Sequence, residues 1–136
     1  MSAKDHYHDV VVRALVKAGW VITSEQFRLI IPDRQLYVDI RAAKDTESLD
    51  ILIEVKGFEN ARSPVEYLAG AIGKYILYRT VLDFAGIDAP LYMAVSRKAA
   101  YNGILNEQIG KEVVRRAQVH LLVFDPESEE ILAWIN

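Results

Sequence analysis

At 136 residues the chain has the length of one compact domain, and a hydrophobic share of 51% supplies ample apolar surface for a core. It has no cysteine, which excludes disulfides and thiolate metal sites and suits a reducing cytosol. The net charge of −3 argues against a broad, nonspecific nucleic-acid binder but leaves room for a local phosphate site.

No apolar run approaches the roughly 20 residues of a membrane span, and Met1-Ser2-Ala3-Lys4-Asp5 lacks the apolar region of a signal peptide. One domain over residues 1–136, cytoplasmic and without membrane contact, is the expectation.

Ser2, with Asp5 three residues later, marks a helix start. Ala3, Tyr7, Val10, Val11, Ala14, Leu15 and Ala18 follow at helical spacing, and Gly19 stops the run. Trp20-Val21-Ile22-Thr23 and Phe27-Arg28-Leu29-Ile30-Ile31 read as strand, and Pro32-Asp33-Arg34-Gln35 turns the chain into Leu36-Tyr37-Val38-Asp39-Ile40. A polar loop from Ala43 to Leu49 leads into Ile51-Leu52-Ile53-Glu54-Val55-Lys56-Gly57. Ser63-Pro64-Val65-Glu66 is a helix entry with N-cap, N1 proline and N3 acid, and that helix runs to about Phe84 before Gly86. Leu91 to Val95 reads as a buried strand, and Lys98 to Ala117 as mostly helical with a break near Gly110. Val119 to Phe124 and Ile131 to Ile135 form strands around Asp125-Pro126-Glu127-Ser128-Glu129-Glu130, which reads as a solvated turn. Helix, three-stranded meander, helix, strand, helix and hairpin together predict an α/β/α sandwich on a mixed sheet.

Charge inside the apolar strands is what needs a reason. Alternation puts Leu52, Glu54 and Lys56 on one face and Ile51, Ile53 and Val55 on the other, as in a central strand covered on both sides. If Ala43 pairs with Asp50, Asp39 falls opposite Glu54, with Cβ atoms about 4.5–5.5 Å apart and like charges in repulsion. A hard divalent cation such as Mg²⁺ or Mn²⁺ turns that repulsion into coordination by oxygen ligands. Taken alone, Glu54 and Lys56 read equally well as an exposed ion pair.

An acid on one strand and acid-x-Lys on the next resembles the active site of the PD-(D/E)xK, or restriction-endonuclease-like, nucleases. That resemblance implies an αβββαβ core, here with a C-terminal helix and hairpin, with Asp39 and Glu54 as metal ligands. It also implies that Lys56 stabilises developing negative charge or orients the attacking water.

Lys4-Asp5-x-x-His8-x-x-Val11, Gly19-Trp20-x-Ile22-Thr23, Tyr37-Val38-Asp39 and Ile53-Glu54-Val55-Lys56 resemble the XisH family, the fdxN-element excision controlling factors of cyanobacteria. So do Tyr75-x-x-Tyr78-Arg79, Leu91-Tyr92-x-Ala94-Val95 and the ending from Phe124-Asp125-Pro126 to Trp134-Ile135-Asn136. The resemblance spans the chain and implies DNA as partner, beside a site-specific recombinase or another excision factor. A homodimer is the expectation for an enzyme cutting both strands.

One position departs from the family pattern, where glutamine precedes the first tyrosine of the helix; this chain has Lys74. Lys74 and Tyr78 lie four apart and share a helix face, so both point toward the site, and an amine meets phosphate as a point charge. A surface lysine whose stem packs on the helix is the equal alternative.

The other candidates read as structural. Asp5, His8 and Asp9 form a polar ridge, with Asp5 favouring the helix dipole; His6 and His8 point apart; His120 reads as a satisfied core or edge residue. Arg41, Lys44, Arg62, Arg79, Arg97 and Lys98 are solvated cations unless they ring the site. Two functions stand: a metal-dependent DNA endonuclease, or a noncatalytic accessory protein that keeps the fold and grips DNA or a recombinase.

Overall fold

The computed structural model describes residues 6–136. The expected helix start at Ser2 and the candidate Asp5 lie outside the described residues. Helix α1 spans His8–Lys17 and buries Val11, Ala14 and Leu15, the face set by its apolar spacing. Gly19 then adopts φ 94°, a left-handed conformation that ends the helix and that residues with a Cβ rarely take.

Strands β1 (Val21–Ile31), β2 (Arg34–Lys44) and β3 (Leu49–Val55) form the expected meander. Asp33 at φ 75° makes the first turn, and a 3-10 turn at Asp45–Glu47 followed by Ser48 at φ 53° makes the second. Helix α2 spans Pro64–Phe84, capped by Ser63, whose Oγ accepts the Glu66 N–H at 3.3 Å. After β4 (Leu91–Ser96) come α3 (Arg97–Asn102), a 3-10 turn at Ile104–Asn106, and α4 (Gln108–Arg116). Strands β5 (His120–Asp125) and β6 (Glu130–Ile135) close the chain as a hairpin.

The six strands form one mixed sheet in the order β1-β2-β3-β4-β5-β6, parallel at β3–β4 and β4–β5 and antiparallel elsewhere. Both parallel crossovers advance in the same direction, so their helices fall on one face, as right-handed connections require. One core layer joins α2, α3 and α4 to Leu52, Met93, Val95 and Leu121. The other joins α1 to Ile51, Ile53, Val55, Ala94 and Phe124. Strand β3 is thus buried on both faces, and helices flank the sheet on both sides. No described helix is long and apolar enough to cross a membrane.

One local expectation is corrected, and two features appear that the sequence does not announce. The break in the third helical region falls between α3 and α4, at Gly103 to Glu107, and Gly110 lies inside α4. A Cβ on Gly110 would stand 1.9 Å from the Ile104 carbonyl oxygen, so this glycine serves close packing and not a turn. The acidic turn after β5 is largely exposed, as expected of a solvated turn, and also touches α1: Arg13 Nη2 meets Glu129 Oε2 at 2.6 Å, and Lys17 Nζ donates to the Ser128 carbonyl at 2.6 Å. Along β2, Val38 packs in the α2 layer while Ile40 packs in the α1 layer, although simple alternation assigns them one face. Between their partners on β1, Phe27 and Glu25, stands Gln26 at φ 59°. The β1–β2 ribbon therefore turns over at Asp39.

Candidate functional site

Ala43 pairs with Asp50, the register expected from the loop, and the β2–β3 ladder then runs to Ile40 opposite Ile53. One step beyond, where the ribbon turns over, the two acids replace the backbone ladder. Glu54 Oε1 accepts the Asp39 N–H at 3.0 Å, and Asp39 Oδ2 accepts the Val55 N–H at 2.8 Å. Each carboxylate therefore satisfies one backbone donor of the opposite strand and keeps a second oxygen outside that exchange.

Glu54 is only 2% exposed. Lys74 Nζ, reaching in from α2, stands 3.1 Å from Glu54 Oε2 as an ion pair. Oε2 is buried, and this ammonium faces it. The same ammonium lies 5.1 Å from the centre of the Tyr78 ring, a cation–π contact one helical turn along α2.

Burial, then repulsion from Asp39, pushes the Glu54 carboxyl up to about 7, against the opposing pull of Lys74. Burial pulls Lys74 down, but Glu54 outweighs it and leaves the ammonium above its ordinary value. Burial likewise raises the Tyr78 phenol, with Lys74 opposing and Glu54 adding. An acid held this far from its solution behaviour in a cluster of named partners marks a functional-site candidate.

Of the five residues singled out in the sequence, the structure brings Asp39, Glu54, Lys74 and Tyr78 together. Lys56 follows the end of β3, half-buried, with its N–H donating to the Ala94 carbonyl at 2.9 Å. Lys74 is the lysine seen within ion-pair distance of Glu54.

Of the six candidate cations, Arg62 and Lys98 are exposed, and the other four have protein partners. Arg41 pairs with Asp50 at 2.6 Å and covers Phe27, and Lys44 pairs with Glu47 at 3.0 Å. Arg79 donates to the carbonyls of Ala117 and Gln118, closing the end of α4, and Arg97 lies 3.8 Å from Asp125. Tyr75 is core: its hydroxyl donates to the Leu91 carbonyl at 2.6 Å and accepts the His120 N–H at 3.2 Å.

Two histidines differ from expectation. His8 is no ridge residue; it is 1% exposed, and its Nε2 meets Glu25 Oε1 at 2.7 Å. With Asp9 these form the one group among the described residues whose His and carboxylate ligand atoms all lie within 4.8 Å of one another. Glu25 falls between the two segments read as strand, 20–23 and 27–31, and its pairing shows only once β1 is seen to run unbroken past the buried histidine. His120, expected to be satisfied, has a buried Nδ1 without a hydrogen bond. It borders an apolar cavity of about 630 Å³ between α3–α4 and β5–β6, lined by Tyr101, Leu105, Val114 and Ile135 and by no Asp or Glu. The acid chemistry lies elsewhere.

The donor set suits a hard divalent cation, with two carboxylates side by side and a buried Oε2 that already faces a cation, the Lys74 ammonium.

A family model described as XisH protein matches residues 1–132. Two solved structures are similar over nearly the whole chain. An XisH family protein from Nostoc punctiforme PCC 73102 is 33% identical, with 97% of this chain and 100% of that one covered and a TM-score of 0.87. A fdxN element excision controlling factor protein from Anabaena variabilis is 34% identical, with 98% and 100% covered and a TM-score of 0.88. No curated protein matches the chain.

Proposed function

The chain belongs to the XisH family, and on that premise we propose that it is a divalent-metal-dependent DNA endonuclease acting in the excision of a DNA element. The observation that carries this reading is Glu54, buried against Asp39 within the sheet and pushed up to about 7, its second oxygen already facing a cation, the Lys74 ammonium. A fold does not keep two carboxylates against each other in its sheet without compensation. The resemblance to PD-(D/E)xK nucleases supports the same roles, and the excision context comes from the name of the Anabaena variabilis relative.

Asp39 and Glu54 would hold Mg²⁺ or Mn²⁺, a cation that supplies Lewis acidity toward a phosphoryl oxygen and a more acidic bound water. Lys56, two residues past Glu54, stabilises negative charge growing on the phosphate or orients the attacking water. Lys74 and Tyr78 line the α2 side and offer the anion a charge over an aromatic face. Water attacks phosphorus, the P–O3′ bond breaks, and the products are a 5′-phosphate and a 3′-hydroxyl.

The ammonium at Glu54 favours a second reading, in which the pair is a neutralised relic and the protein grips DNA or a recombinase without cutting. Supercoiled plasmid with Mg²⁺ or Mn²⁺ separates the two. Nicking or linearisation abolished by both Glu54→Gln and Lys56→Ala supports the endonuclease. No cleavage by folded protein with either metal moves the assignment to the accessory role.

A further inference from the structure

We infer that Lys74 is a built-in counterion occupying the cation position of the Asp39–Glu54 pair, and that a divalent metal binds by displacing it. The inference rests on the metal reading proposed above and concerns what that binding has to overcome.

The oxygens define the position. Glu54 Oε1 is committed to the Asp39 N–H and Asp39 Oδ2 to the Val55 N–H. The oxygens outside that exchange, Glu54 Oε2 and Asp39 Oδ1, keep all their lone pairs for a cation shared by the two carboxylates. Lys74 Nζ stands on Oε2 at 3.1 Å. An ammonium and a divalent cation on the same buried oxygen would repel across a few ångströms. One must leave.

Lys74 is built to leave. It is 39% exposed while Glu54 is nearly enclosed, so the mobile partner is on the solvent side. Its four-carbon stem carries a compact charge that reaches several positions without moving α2. A glutamine in this place would have no such effect, because a neutral amide does not compete for a carboxylate as an ammonium does. This chain therefore trades metal affinity for a site that stays neutralised until the ion arrives.

The test is Mn²⁺ binding to the full chain by isothermal titration at pH 8.5, where protons do not take the cation's place. Wild type is compared with Lys74→Gln, Lys74→Ala and Lys74→Arg. The expected result is Mn²⁺ bound about ten-fold more tightly by the two neutral variants, with Lys74→Arg, which keeps a cation, no tighter than wild type. Equal or weaker binding by both neutral variants overturns the inference while leaving the metal reading intact. Failure of wild type and all variants to bind Mn²⁺ at millimolar concentration overturns the metal reading itself.

Discussion

Replacing Glu54 by glutamine tests whether the site is held against the stability of the fold. Its carboxyl is raised from 4.5 to about 7 in the folded chain, first by burial and then by Asp39. A folded-state value above the unfolded one means that the folded protein binds the proton more tightly. Stability from this group is therefore complete below pH 4.5 and lost as the pH rises to 7. The full difference of 2.5 units corresponds to about 3.4 kcal/mol. Between pH 5 and pH 8 the loss is about 2.5 kcal/mol, because some ionisation of the unfolded chain has begun by pH 5. Glutamine keeps an oxygen for the Asp39 N–H but does not ionise. Urea unfolding of the metal-free proteins should therefore show the stability difference, Glu54→Gln minus wild type, growing by about 2.5 kcal/mol from pH 5 to pH 8. Reading only the change with pH removes any constant offset from the altered contact with Lys74. A difference that stays flat, or shrinks with pH, refutes the picture of a carboxylate held ionised at a cost.

Three further outcomes follow from the geometry. Asp39→Ala orphans the Val55 N–H and should cost about 1–3 kcal/mol more than Asp39→Asn, which keeps an acceptor, measured by urea unfolding. Gly110→Ala drives a Cβ onto the Ile104 carbonyl and should destabilise by at least about 3 kcal/mol, whereas Gly70→Ala, in open space on α2, should stabilise by about 0.5–1 kcal/mol; thermal melts read both. Tyr75→Phe removes a hydroxyl that serves the Leu91 carbonyl and the His120 N–H and should cost about 1–3 kcal/mol in chemical denaturation.

The acid pair is legible in the sequence because its signals are local. Alternation assigns Glu54 a face, and a polar loop of known length sets Ala43 against Asp50. Lys74 and Tyr78 are legible as a helix face, but nothing local says that the Lys74 ammonium meets Glu54. That contact depends on how α2 crosses the sheet. His8 and Glu25 escape for the same reason: a helix residue and a strand residue 17 positions apart pair only once α1 docks. Gly110 looks like a helix breaker because glycine has several uses, and close approach to Ile104 is a tertiary fact. The turning-over of the β1–β2 ribbon hides behind regular alternation, since Gln26 carries no mark of its left-handed backbone.

The reciprocal exchange between Asp39 and Glu54 also sets how this site decays under mutation. The two acids are not equally replaceable. Asp39 closes the gap where the β2–β3 ladder stops, so a lineage that abandoned the chemistry would still need an acceptor there. Glu54 has an exit: a single change to glutamine keeps the acceptor for the Asp39 N–H and relieves the buried charge. Selection relaxed on ion binding would be read first at position 54, and Asp39 would persist as scaffold long after activity had gone.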